Sequence, residues 1–234
     1  MWGQQQNRAF WDTSAGQKIL TLDFIFRKIS EAQRSFVDTA ALRGITLACP
    51  PGCGSCCHGF MPDVLPVEAE YIAYYMLRSS SNPATSSSAS SPSPALSAPE
   101  TWLSLKQPDN PSPCPFHDPS SPGANCRVYP ARPLICRLFG YASTRAKSGE
   151  TTFRLCRHMP TPAGLPGRTL SARELEIDIG AAPPLMSDFA MELLAIDPSS
   201  ASERKPLSEA MPPALARVGA ILRYCPEEPE PNAA

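Results

Sequence analysis

The sequence has no apolar run approaching the ~18 residues that a membrane-spanning helix needs, and its opening, MWGQQQNRAFWDTSAGQ, lacks a basic region followed by an apolar stretch and a small-residue cleavage site. No membrane partner is therefore expected, and a cytoplasmic location is. Charge of one sign is also lacking. The formal net charge of -1 and a pI near 6.3 leave no global attraction to nucleic acid, so no nucleic-acid partner is expected. The chain holds no glycine-rich phosphate loop, no HExxH helix and no GxSxG elbow. Glu68 and Glu70, two apart, would face different sides of a helix, and they are read as solvated first-turn acids instead of a catalytic pair.

Proline, by contrast, is abundant at 28 residues, and from Ser79 to Ala98 the composition collapses to Ser, Pro, Ala, Asn and Thr. Such a stretch buries too little apolar surface to offset the entropy of ordering it. The expected organisation is an N-terminal extension at 1–13, a single domain at 14–226 interrupted by a flexible Ser/Pro-rich insertion at 79–98, and an acidic disordered tail at 227–234.

Periodicity supplies the regular elements. Leu22, Ile25, Phe26, Ile29, Phe36, Val37 and Ala40 recur at helical spacing between Ser14 and Arg43, with Gly44 as the stop and SAGQ (Ser14 to Gln17) as an expected capping box. LPVEAEYIAYYMLRSS predicts a second helix with Pro66 in its first turn and an apolar face of Tyr71, Ile72, Tyr75 and Met76. LFGYASTRAKSGETTFRLC predicts a β-hairpin turning at Lys147 to Glu150, which would return Cys156 close to Cys136. Two later apolar-periodic segments, PPLMSDFAMELLAI and PPALARVGAILRY, each follow a proline pair suited to a helix start.

The chemistry lies in the 9 cysteines. Cys49, Cys53, Cys56 and Cys57 precede the insertion, Cys114, Cys126, Cys136 and Cys156 follow it, and Cys225 stands apart. A disulfide framework fits poorly with an odd count and a reducing compartment. A thioredoxin-like pair matches Cys53 and Cys56 in spacing but lacks a preceding strand. A metal centre accounts for the pattern best, because short C-x2-C and C-x3-C loops aim two sulfurs at one ion, and Gly52 and Gly54 permit the backbone such loops need. Four thiolates hold a tetrahedral zinc or a cubane iron–sulfur cluster, so eight provide for two centres or one polynuclear centre. Adjacent Cys56 and Cys57 are expected to diverge, since neighbouring side chains do so in extended and helical backbone.

The C-x3-C-x2-C-C string, a following helix with Glu68, the CPF of Cys114 to Phe116, CRVYPARPLICRLFGY (Cys126 to Tyr141) and a last Cys156 together resemble the YkgJ-type cysteine-cluster family of zinc- or iron-chelating domains. The pattern is also similar to the cysteine-rich part of flagellin lysine N-methylases. The resemblance covers roughly Ala48 to His158 without the insertion; it departs in the x3 first spacing and in His117, where the family usually has an aliphatic residue. It implies zinc or iron, including a [4Fe–4S] cluster, as the cofactor. A protein-modifying, iron-dependent enzyme and a zinc-structured interaction module are the alternative activities, and the sequence identifies no protein partner.

The histidines, His58, His117 and His158, all sit beside cysteines and are read as supporting or solvent-exposed groups, given eight sulfurs already. Arg127, Arg132, Arg137, Arg145, Lys147, Arg154 and Arg157, opposed only by Glu150 between Cys126 and His158, are read as compensating thiolate charge. The expected fold is α+β and mainly helical, an irregular cysteine-rich metal-binding centre with a small hairpin, braced by N- and C-terminal helices.

Overall fold

The computed structural model describes residues 8–50, 53–57, 59–79, 114–117 and 126–225. Its longest element, helix α2 (Ser14–Leu42), is laid down by the predicted stripe: Leu22, Ile25, Phe26, Ile29, Phe36 and Ala40 are all buried. The cap is one residue earlier than expected. Thr13 has the extended backbone a cap requires (φ -80°, ψ 156°), and its hydroxyl accepts from the Gly16 N–H at 3.0 Å, which leaves Ser14 inside the helix. At the other end, Gly44 takes φ 75°, and the N–H groups of Gly44 and Ile45 return to the carbonyls of Ala41 and Ala40. That αL turn terminates the helix as its glycine predicts. Before α2, helix α1 (Arg8–Trp11) packs Phe10 and Trp11 into the core, so residues 8–11 of the expected extension are helical and anchored by those two rings.

Helix α3 (Pro66–Ser79) is buried on every side from Val67 to Met76, a wider apolar surface than the single face expected. Its rings are engaged from both flanks: Tyr74 stacks on Phe10 at 4.7 Å, and Tyr71 meets Phe26 edge-on at 5.3 Å. Glu68 and Glu70 are correspondingly not solvated, at 1 % and 5 % exposure; the helix has no wet face on which to put them. Strand β1 (Asp63–Val64) enters α3 and pairs antiparallel with β5 (Lys205–Pro206). The expected insertion and tail lie outside the described residues, apart from Ser79.

After the short helix α4 (Leu134–Leu138), the predicted hairpin forms from β2 (Ser143–Arg145) and β3 (Thr151–Arg154), and β4 (Thr169–Ser171) adds a third antiparallel strand that the sequence reading lacked. Helix α5 (Ala172–Asp178) was likewise missed, although SARE carries the reciprocal Ser171–Glu174 capping box that was expected at Ser14. Helix α6 (Met186–Leu194) follows Pro183 and Pro184 as predicted. Helix α7 (Leu207–Tyr224) does not start at its proline pair. It starts five residues earlier and holds Pro212 and Pro213 inside, where their missing N–H groups leave carbonyls of the first turn without intrahelical donors.

Two apolar clusters result. One gathers α1, the first part of α2, α3, α6 and α7; the other sets Phe36, Ala40, Ile45 and Leu47 against Phe153, Leu170, Leu175 and Ile179 of β3, β4 and α5. Helix α2, about 44 Å long at 1.5 Å per residue, runs through both. The architecture is α+β with small antiparallel sheets, and among the described residues no helix is long and apolar enough to cross a membrane.

Candidate metal centre

A cavity of about 420 Å³ lies among the irregular segments, and Cys49, Cys53, Cys56, Cys57, Cys114, Cys126, Cys136 and Cys156 all line it. Turns present most of them: the N–H of Cys53 donates to Pro50 O at 3.0 Å and that of Cys57 to Gly54 O at 2.8 Å. Cys114 opens a turn closed by the His117 N–H, and His117 forms an antiparallel bridge with Cys126. Cys136 rides on α4. Cys156 follows β3, and its Cβ would lie only 3.3 Å from a Cβ added at Gly140, a residue that also takes φ 78°. Glycine there lets the two chain segments approach.

Cys225 is not in the lining; it ends α7 and packs against the helical cluster. His117 is buried without lining the cavity, and His158 is exposed and accepts from Arg157 Nε at 2.9 Å. His58 lies outside the described residues. Among the described residues, no three Cys, His, Asp or Glu side chains are gathered tightly enough to hold one ion, so the cysteines share a wall and not a formed coordination shell.

The electrostatics regroup the thiols. Burial and the charges of Cys156, Cys53 and Cys56 raise the Cys49 thiol, against a hydrogen bond from Tyr141. Burial likewise lifts Cys114, takes Cys126 to about 11, and raises Cys136, which also feels Cys114, Cys126 and Cys56. Cys49 thus feels Cys53, Cys56 and Cys156, while Cys57 feels Cys56, Cys114 and Cys126, so Cys56 acts on both. Thiols from before and after the insertion therefore act on one another.

Cys56 and Cys57 do not diverge. Ser55–Cys57 is a turn, neither extended nor helical, and the Cys57 thiol donates to the Cys56 sulfur. This bond brings Cys56 down to about 6 and holds the proton on Cys57. Both sulfurs can thus serve one centre.

The two cavity-lining arginines differ in role. Arg132 stacks over Tyr129 at 4.0 Å, its charge favours the thiolates of Cys56, Cys126 and Cys136, and its buried Nε has no hydrogen-bond partner among the described residues. Arg137 is also engaged by the protein: it stacks over Phe26 at 4.0 Å and donates to the carbonyls of Arg132 and Pro130, and burial pulls it down to about 10, against the opposing charge of Cys136. It clamps the YPARP turn to α2, where Gln33 in turn donates to Arg137 O at 2.8 Å.

The residue that the sequence reading undervalued is Glu68. Its two oxygens accept the N–H groups of Leu65 and Leu134, each at 2.8 Å, so it caps α4 from across the fold. Burial raises its carboxyl above the usual range, against the pull of those two bonds and of Arg204. Two carboxylates, Glu68 and Glu70, inside an otherwise largely apolar stretch, LPVEAEYIAYY, were the available signal.

No curated protein and no solved structure matches the chain. A family model does: CxxCxxCC, described as "Putative zinc- or iron-chelating domain", matches residues 48–157, a span that contains all eight cavity cysteines. The similarity to that cysteine-cluster family is confined to residues 48–157, somewhat less than half of the chain.

Proposed function

We propose that the protein binds zinc or iron in the thiol-lined cavity, with Cys49, Cys53, Cys56, Cys57, Cys114, Cys126, Cys136 and Cys156 as the ligand set. One observation carries the reading: eight of the 9 cysteines, from segments far apart in sequence, line one cavity. The donor set fits the group. It is sulfur throughout, with neither carboxylate nor imidazole among the described lining residues, and such sets suit zinc and iron–sulfur centres. Two overlapping thiol neighbourhoods joined at Cys56 support either two adjacent ions or one polynuclear centre. The bound metal would hold the loops together and, in an iron–sulfur form, supply electron-transfer chemistry. A cytoplasmic setting agrees with nine cysteines that form no disulfide among the described residues.

Elemental analysis and the visible spectrum of anaerobically purified protein separate the forms, since zinc thiolates are colourless and iron–sulfur clusters are brown. Cys136→Ser is expected to lose metal and to lower the melting temperature, because binding free energy is here part of folding free energy. Full metal content and an unchanged melting curve in that variant would refute the reading.

A further inference from the structure

Glu68 is 1 % exposed on a helix with no wet side, a costly place for a carboxylate unless each oxygen is satisfied. Its two oxygens are aimed at different parts of the molecule. Oε2 accepts from Leu65, directly after β1, and lies 3.8 Å from Arg204 Nη1; Oε1 accepts from Leu134, the first residue of α4. The Leu65 side leads to the cavity floor: β1 pairs with β5, the chain then enters α7, and the Leu207 N–H donates to Pro62 O at 2.9 Å, with Leu207 and Pro62 both lining the cavity. The Leu134 side leads to Cys136, two residues further on. Helix α4 has no cap of its own, since its N-cap residue is Pro133, whose ring offers no acceptor.

We propose that Glu68 is a positioning residue of the metal centre: its carboxylate locks the helix that carries Cys136 against the cavity floor built by Pro62 and Leu207, with Arg204, from outside the family segment, as its counter-charge. This inference rests on the metal-binding reading. The geometry is specific to a carboxylate. Glutamine keeps one acceptor and turns its NH2 toward the other backbone N–H, so one of the two ties is lost, and alanine loses both.

The test compares Glu68→Gln, Glu68→Ala and Arg204→Gln with Met76→Ala, a core truncation that touches neither tie. In the full chain freed of metal, alkylation of each cysteine is followed by mass spectrometry; in the loaded chain, zinc is titrated against a competing chelator. Both Glu68 variants should alkylate Cys136 selectively faster than Cys49 and retain zinc about 10–100-fold less tightly, the usual loss when a group supporting a ligand is removed. Arg204→Gln should follow with a smaller change, because its guanidinium is partly exposed. Met76→Ala should lower the melting temperature without altering the ratio of Cys136 to Cys49 labelling. The proposal is overturned if the Glu68 variants melt earlier but label and release zinc as the parent does, or if all cysteines accelerate alike. Should the parent chain fail to bind zinc or ferrous iron, the functional reading falls, and the alkylation ratio alone still decides whether Glu68 holds Cys136 in place.

Discussion

The surroundings of α3 and the thiol-lined cavity are built from opposite resources, although they share a wall. Around α3 the apolar side chains interdigitate, and the polar groups that intrude are met: Glu70 pairs with Arg217 at 3.2 Å, and Tyr71 donates to Asp23 at 2.9 Å. Around the cavity the chain runs in turns and one five-residue helix, sulfurs replace hydrocarbon, and the exposed rings of Phe60, Tyr129 and Phe139 line the void. Close-packed apolar surface supports itself. Thiols held near one another repel as they ionise, and only a cation turns that repulsion into attraction. The first region is therefore expected to keep its form without metal, and the second to draw its order from metal.

That contrast can be broken in several ways. The largest expected effect is Met76→Ala, which removes a fully buried side chain from the core and should cost about 2–5 kcal/mol in a denaturant melt. Metal bound per folded molecule should not change; a variant that lost metal in proportion to stability would show that the two regions are one cooperative unit. Next is Arg132→Ala, expected to weaken metal retention about 10–100-fold. Arg137→Ala should act on stability instead, since its guanidinium is spent on Phe26 and backbone carbonyls. Equal effects of the two on affinity, measured by chelator competition, would erase the distinction between them.

A gentler probe is pH. Burial raises Cys114, Cys126 and Cys136, so in the metal-free chain these thiols keep their protons at neutral pH and lose them only as pH rises through their raised values. A metal must displace those protons, and its affinity should climb by about tenfold per pH unit for each proton released. A flat profile between about pH 6 and 8 would mean that the ligands are already thiolates. The smallest effect is Cys225→Ser, outside the cavity lining, which should leave metal stoichiometry as it was; loss of one equivalent would redraw the ligand set.

The sequence was most readable where side-chain spacing alone determines the outcome. The α2 stripe and the hairpin are local patterns, and both form as their periodicities predict. The start of α2 was displaced because Thr13 and Ser14 are both good caps, and the extended backbone at Thr13, set by α1 packing, chooses between them. Helix α7 was read late because prolines usually open helices, whereas its true start is fixed by the pairing of β5 with β1, about 140 residues away in sequence. No local pattern encodes a two-residue strand. The eight cysteines were legible as a set but not as neighbours: the influence of Cys156 on Cys49, and of Cys114 and Cys126 on Cys57, depends on how loops distant in sequence are brought together, which no local pattern encodes.

Leu207, at the head of α7, lines a cavity whose cysteines all lie between residues 48 and 157. The segment that resembles the family and the segment that builds the cavity thus have different boundaries in this protein. The matched segment holds only part of its floor: excised and grafted into another chain, it would carry all eight cavity cysteines and Pro62 but not Leu207. Any host would have to furnish both a helix to seat α3 and a residue to stand where Leu207 stands.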